Sequence, residues 1–140
     1  MANLSQTASS VTIGSLGARS EPATGGEAIT QGMPCYLSPT DGNWYQSDAN
    51  VVAAATAAHG IATTPCSGVG QPFNVMRLAG QDINLGATLV RGETYVVSAT
   101  KGAICPIADL VTNDYVIYLG YARTTSLLRT MLSATGVQKA

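Results

Sequence analysis

Charge is what this chain has least of. Asp, Glu, Lys and Arg make up 11% of its 140 residues, against about 25% in a typical soluble domain. Seven basic and eight acidic residues leave a formal net charge of −1. There is therefore no basic field for nucleic acid and no polybasic patch for a membrane surface. Aromatics are scarce too, at 6%, with one Phe and one Trp. Small side chains take their place, which implies thin packed layers and a slim core. The three cysteines, Cys35, Cys66 and Cys105, are odd in number and have no CxxC spacing. That argues against a disulfide framework or a zinc site and makes them small buried thiols. No stretch approaches about eighteen apolar residues in a row, so no helical membrane span is expected. The opening "MANLSQTASS" has neither a basic nor an apolar leader region, so no signal peptide is expected. No metal and no cofactor is expected.

What remains is a chain punctuated by Gly, Pro, Asn and Asp. Residues 1–26 are rich in Ser, Thr, Gly and Ala, with Leu4, Val11, Ile13 and Leu16 nearly alone among them. Such a segment buries too little to offset its own ordering entropy. It reads as an extended N-terminal arm, either a loose tail or a segment that orders against another subunit, joined by "EPATGG" to a β domain over 27–140. In that domain "EAIT", "MPCYLS" and "NWYQS" read as strands around the turn "PTDG". "DANVVAAATAAHG" is the one plausible helix, a short one near 49–58 with Asp48 or Asn50 as cap and Gly60 as stop. Then come "GIATT", "FNVMRL", "INLG" with "ATLV", "TYVVSA", "GAICPI" and "DYVIYLGYA" as strands, and "SLLRTML", strand or helix by its pattern, of which a strand fits an all-β body better. The turns between them are "GVGQP", "AGQD", "RGE", "TKG" and "TND". Short strands at this spacing predict an all-β fold, a small sandwich or barrel of tulip-like form.

Residues 27–66 also echo 87–126 at a constant offset of sixty. Gly32, Ser38, Thr40, Gly42, Val51, Gly60, Ala62 and Thr64 recur as Gly92, Ser98, Thr100, Gly102, Val111, Gly120, Ala122 and Thr124. Trp44 falls opposite Ile104. This predicts an internal two-fold repeat whose glycines form corners that need positive φ or close backbone approach.

Chemistry-bearing residues are few. His59 is the only histidine. A hydrolase would have to pair it with Cys35 or Cys66, without a nucleophile elbow around either. The acids sit singly beside turns, where capping is their usual work. Adjacent strand residues face opposite ways, so Trp44 is expected to point inward and Tyr45 outward, as an interface anchor.

The stretch "GEAITQGMPCYLSPTDGNWYQSDANVVAAATAAHGIATTP", followed by "DINLGATLVRGETYVVSATKGAICPIADLVTNDYVIYLGYARTTSLLR", resembles small capsid decoration (cement) proteins of tailed bacteriophages. The similarity lies in the "GEAIT" opening, the "DGNW" hairpin, the Ala-rich run ending "GIA", the "YVVS" strand and the late "GYARTTSLL" strand. It covers roughly residues 25–130; the segment 1–26 matches least. The resemblance implies a viral structural protein with no enzyme activity, located on the outer surface of the virion and assembled in the host cytoplasm. Its implied partners are the major capsid protein and further copies of itself, as a homotrimer, with no nucleic acid and no membrane. Leu4, Val11, Ile13, Leu16 and Tyr45 are the candidate contact residues. Gly32, Gly42, Gly60, Gly92, Gly102 and Gly120 are the candidate structural turns. The alternatives are a head-fibre or receptor-binding knob and, remotely, a Cys/His hydrolase.

Overall fold

Alternating apolar and polar residues between glycine turns build strands almost throughout. The computed structural model describes residues 3–13 and 20–140. Its strands are β1 (Val11–Ile13), β2 (Glu21–Thr24), β3 (Pro34–Leu37), β4 (Trp44–Gln46), β5 (His59–Ala62) and β6 (Pro72–Arg77), then β7 (Ala79–Leu85), β8 (Thr94–Val97), β9 (Ile104–Pro106), β10 (Tyr115–Ala122) and β11 (Leu127–Gln138). They form two antiparallel sheets, a larger one in the order β1-β7-β11-β10-β8-β9 and a smaller one in the order β2-β6-β5-β3-β4. The fold is a small all-β sandwich.

The sixty-residue echo is visible as geometry. Both sheets run through their five successive strands in the same spatial order, and the larger adds β1 at one edge. Leu37 pairs with Trp44 as Val97 pairs with Ile104. Gly32 donates to the Ala62 carbonyl at 2.8 Å, and Gly92 donates to that of Ala122 at 2.8 Å. The recurring elements reach beyond the matching residues, from Glu21 to Arg77 and from Ala79 to Gln138.

Each unit has its own interior. Trp44, Phe73, Val75, Ile29, Cys35 and Cys66 fill the smaller sheet. Ile83, Leu85, Tyr95, Ile104, Leu119 and Leu128 are among those that fill the larger, and Ile61 and Met76 join it from the smaller one. Trp44 is 5% exposed and Ile104 is fully buried, as their equivalence predicts.

Four expectations need correction. First, the helix near 49–58 is a single 3₁₀ turn at Val52–Ala54. Asp48 accepts from the Asn50 N–H instead of capping a helix. The backbone around the turn is drawn into tertiary bonds: Ala49 donates to Ser98, Tyr115 to Ala49 and Gly136 to Ala55. An alanine run with no apolar stripe offers nothing to outweigh them. Second, "AGQD" is no turn but the start of β7, paired with β11. Gly80 keeps a turn-like φ of +82° where the β11 register shifts, as at a bulge. Third, "EAIT" and "ATLV" are not strands; within them only Ile29 makes a bridge, to Cys66. Fourth, Gly60 and Gly120 are not corners. They lie inside β5 and β10, and any Cβ would strike Val75 or the Arg129 backbone respectively.

The described residues of the segment 1–26 do not stand apart either. Val11–Ile13 pairs with β7 and Glu21–Thr24 with β6. Leu4 donates to Ile104 of β9 at 2.8 Å and Thr7 to Gly86 at 2.7 Å. Val11 is 4% exposed. The residues that looked too sparse to order find their apolar surface in this chain's own larger sheet. Deleting residues 1–13 should therefore lower stability by on the order of 3 kcal/mol, from a lost buried valine and several backbone bonds; urea unfolding measures it.

Gly42 and Gly102 do sit at corresponding hairpin corners, with φ of +74° and +77°. Around Gly42 the space is open, whereas a Cβ at Gly102 meets Gln46 Oε1 at 2.5 Å and the Met33 sulfur at 3.1 Å. Gly42→Val should then cost about 1–2 kcal/mol of backbone strain alone. Gly102→Val should cost at least as much by the same unfolding measurement, since the flexible Gln46 and Met33 side chains must also move aside.

Candidate functional site

The candidate chemical centre is His59, on β5. It is 1% exposed. Its Nδ1 lies 2.9 Å from the Ala57 carbonyl, which can only accept, so Nδ1 carries the proton. Nε2 then accepts from the Ser47 hydroxyl at 2.7 Å. Both ring nitrogens are thus satisfied inside the protein, and Ser47 is itself fully buried. Neither cysteine partners the imidazole. The Cys35 thiol donates to Gly60 at 3.5 Å, and that of Cys66 to Gly68 at 3.3 Å and Gln71 at 3.5 Å. Burial pushes the Cys35 thiol well above its ordinary range, with the nearby Cys66 adding to the effect. A thiol held protonated is a poor nucleophile. The geometry makes His59 a core residue, the first of strand β5. Among the described residues no cluster of His, Cys, Asp and Glu could hold a metal ion.

A different feature faces outward. On β10, Ile117 and Leu119 face the core, and a register shift between Tyr118 and Gly120 reverses the alternation, so that Ala122 faces the core and Tyr121 turns away from it. On β11, Leu128 and Thr130 are fully buried, and Arg129 and Met131 turn outward. Tyr121 pairs directly with Arg129, and Arg129 with Asp82 of β7. The result is a shallow groove of about 480 Å³ lined by Ala79, Gly80, Tyr121, Arg129, Met131 and Leu132 among others. Met131 is 58% exposed and Tyr121 39%. Its floor is stiff: Thr130 Oγ1 donates to the Gln81 carbonyl at 2.8 Å and accepts from the Gln81 N–H at 3.2 Å.

Asp82 organises the charge there. It is only 2% exposed, yet it carries two arginines, Arg129 Nε at 2.5 Å and Arg123 Nη2 at 3.0 Å. The carboxylate holds the Arg129 guanidinium above its already high range, by the hydrogen bond first and by charge second. The other side-chain ion pairs among the described residues are one-to-one, Arg77 with Glu21 and Lys101 with Glu27.

The contact residues expected from the sequence fall elsewhere. Leu4 and Ile13 are half-buried and, with Val11, pack on the main core. Leu16 lies outside the described residues. Tyr45 does point away from Trp44's side of β4, but its ring covers Gly26 and lies 6.0 Å from that of Tyr36. Its hydroxyl donates to Asp41 at 2.5 Å. That bond holds the Asp41 carboxyl below its usual range and pushes the Tyr45 hydroxyl up. Tyr45 is therefore a half-buried hairpin brace. Tyr121 and Met131 were missed: Met131 lies out of phase with the buried Leu128 and Thr130 of "LLRTML", which marked it as outward, whereas Tyr121 shares the phase of Ile117 and Leu119 in "YVIYLGYA" and is turned outward by the register shift before Gly120.

No family model matches this chain, and neither a curated protein nor a solved structure does.

His59 gives a pH prediction. Burial, partly opposed by the bond to Ala57, lowers its pKa from 6.5 to about 4. Below pH 6.5 the unfolded chain takes up a proton that the folded one refuses, so stability falls as pH drops from about 6.5 to about 4 and then stops responding to this group. The full effect is about 3 kcal/mol at most. A His59→Gln variant, whose amide can still meet Ser47, should show a flatter profile in urea titrations across that window.

Proposed function

We propose that this protein is a capsid decoration protein, binding the outer surface of a tailed-phage head and stabilising it across capsomer junctions. The observation that carries this reading is the exposed Tyr121–Met131 groove on a stiff sheet face. Tyr, Met and Arg are the residue types enriched in the buried centres of protein interfaces, and here they are gathered on a chain otherwise poor in both aromatics and charge. The resemblance described from the sequence supplies the kind of partner, the major capsid protein. Many copies on one lattice, or a homotrimer on three neighbouring sites, convert weak single contacts into firm attachment by avidity. The location that follows is the outside of the virion, after assembly in the host cytoplasm.

The test is co-sedimentation of purified protein with mature capsids that lack it, followed by heating. Saturable binding at a fixed ratio to the shell protein, with a capsid disruption temperature raised by several degrees, is the expected result. Capsids that neither retain the protein nor gain heat resistance would sink the proposal.

A further inference from the structure

We infer that the groove between β7, β10 and β11 receives an acidic, apolar-flanked peptide segment of the partner protein. This deepens the decoration reading by naming what the partner must present, and it rests on that reading only for who the partner is.

The argument begins with Asp82. A carboxylate with almost no exposed surface neutralises one guanidinium and holds two. The cluster of Arg123, Arg129 and Asp82 therefore has a local charge of +1 in a protein whose net charge is −1. Each guanidinium carries five N–H donors in a fixed fork. Asp82 engages Nε of Arg129 and one Nη of Arg123. Further donors on both remain for a second acceptor, and the two side chains are 35% and 48% exposed. Because both forks are already pinned to one buried group, much of the entropy that a free arginine loses on binding has been lost in folding. A carboxylate is the acceptor whose planar geometry fits such a fork.

The rest of the groove sets the flanks. Tyr121 provides an aromatic wall beside Arg129, and Met131 and Leu132 an apolar one that adapts to shape. Ala79 and Gly80 keep the bottom shallow enough for a peptide backbone to approach. A single excess charge is too little for a polyanion, whose binding depends on many phosphate contacts. It matches one Asp or Glu set among apolar residues. Charge complementarity and the aromatic–Met–Arg composition thus point to the same occupant.

The experiment uses the full chain and three probes: a fluorescein-labelled peptide of alternating Leu and Glu, its Leu–Lys counterpart, and an oligothymidylate. Fluorescence anisotropy is read at low and moderate salt, and amide shifts are mapped by NMR. The Leu–Glu peptide should bind, weaken with salt and shift Tyr121, Arg129 and Met131. Met131→Glu, at an exposed position where folding is not at stake, should weaken it at least fivefold. Met131→Lys should hold or strengthen it, and Tyr45→Phe should leave it unchanged. Equal binding of the Lys peptide, preference for the oligonucleotide, shifts confined to another face, or indifference to Met131→Glu would each overturn the inference. The Met131→Glu variant is also sedimented with capsids. If the native protein binds capsids and this variant binds them equally well, the groove assignment fails while the decoration reading stands. If the native protein ignores capsids but the peptide result holds, the reverse is true.

Discussion

The fold depends on closing strand edges. A β sheet ends in a row of unpaired N–H and C=O groups that invites pairing with any other chain, and two sheets have four such rows. Each is managed by a different local device. At β4, Gly25 bridges Trp44 and the Gly26 N–H donates to the Trp44 carbonyl, so the residues that follow β2 nearly close the smaller sheet on itself. At β9 the Leu4 backbone donates to Ile104. At β1 the Gln31 side chain donates to the Val11 carbonyl at 2.9 Å. At β2 the device is a proline. Gly25 donates to Gln71 in register with the Glu21–Val75 and Ala23–Phe73 pairs. The odd positions therefore carry the ladder, and Pro22, which has no N–H, faces the open side.

This explains how one duplicated unit becomes two different halves. The strand order is shared, and so are the hairpin registers. The outer edge of β7 takes up β1, while the equivalent edge of β2 is blunted by Pro22. The connection from β4 to β5 crosses to the second unit: Ala49 packs with Val96, Cys105 and Leu110, and Ala54 enters the main core. Gly102 donates to Ser47 and Lys101 pairs with Glu27, so the second unit's hairpin is fastened to the first. The symmetry lies in the sheets and the asymmetry in the connections. A duplication needs such asymmetry to be one molecule and not the first two copies of a growing array.

The hairpins were legible because they are local. "MPCYLS", "NWYQS", "TYVVSA" and "GAICPI" alternate around turns whose glycines need positive φ, and nothing distant alters that. The Ala-rich segment was misread because its conformation is decided by Ser98, Tyr115 and Gly136, none within forty residues in the chain. "AGQD" misled for the same reason: pairing with β11 overrides a turn composition. The site was the least legible part. Alternation says which residues leave the core only where no bulge reverses its phase, as one does between Tyr118 and Gly120 ahead of Tyr121, and it never says which of them stay uncovered. On the outer face of the larger sheet, Ala49 and Leu110 cover Val96, Cys105 and Tyr118, and nothing in the strand sequences sets those apart from Tyr121 and Met131. The arm failed in the opposite sense. Val11 and Ile13 looked unpartnered because their partners, Leu85 and Ile83, lie seventy residues away.

The uncovered groove then gains meaning from the closed edges. Where three edges are bonded over and the fourth is blunted by Pro22, association by strand addition is discouraged, and what this body offers a partner is a face. A face built on paired strands holds its side chains more firmly than loops do. Arg129 is fixed by Asp82 on the neighbouring strand, and Tyr121 lies directly across from it. Low overall charge complements this arrangement. Long-range steering contributes little, so recognition falls to short-range fit and to the cluster in which Arg123 and Arg129 share the Asp82 carboxylate. A partner presenting the same surface many times, at fixed spacing, suits such a design better than one met singly in solution.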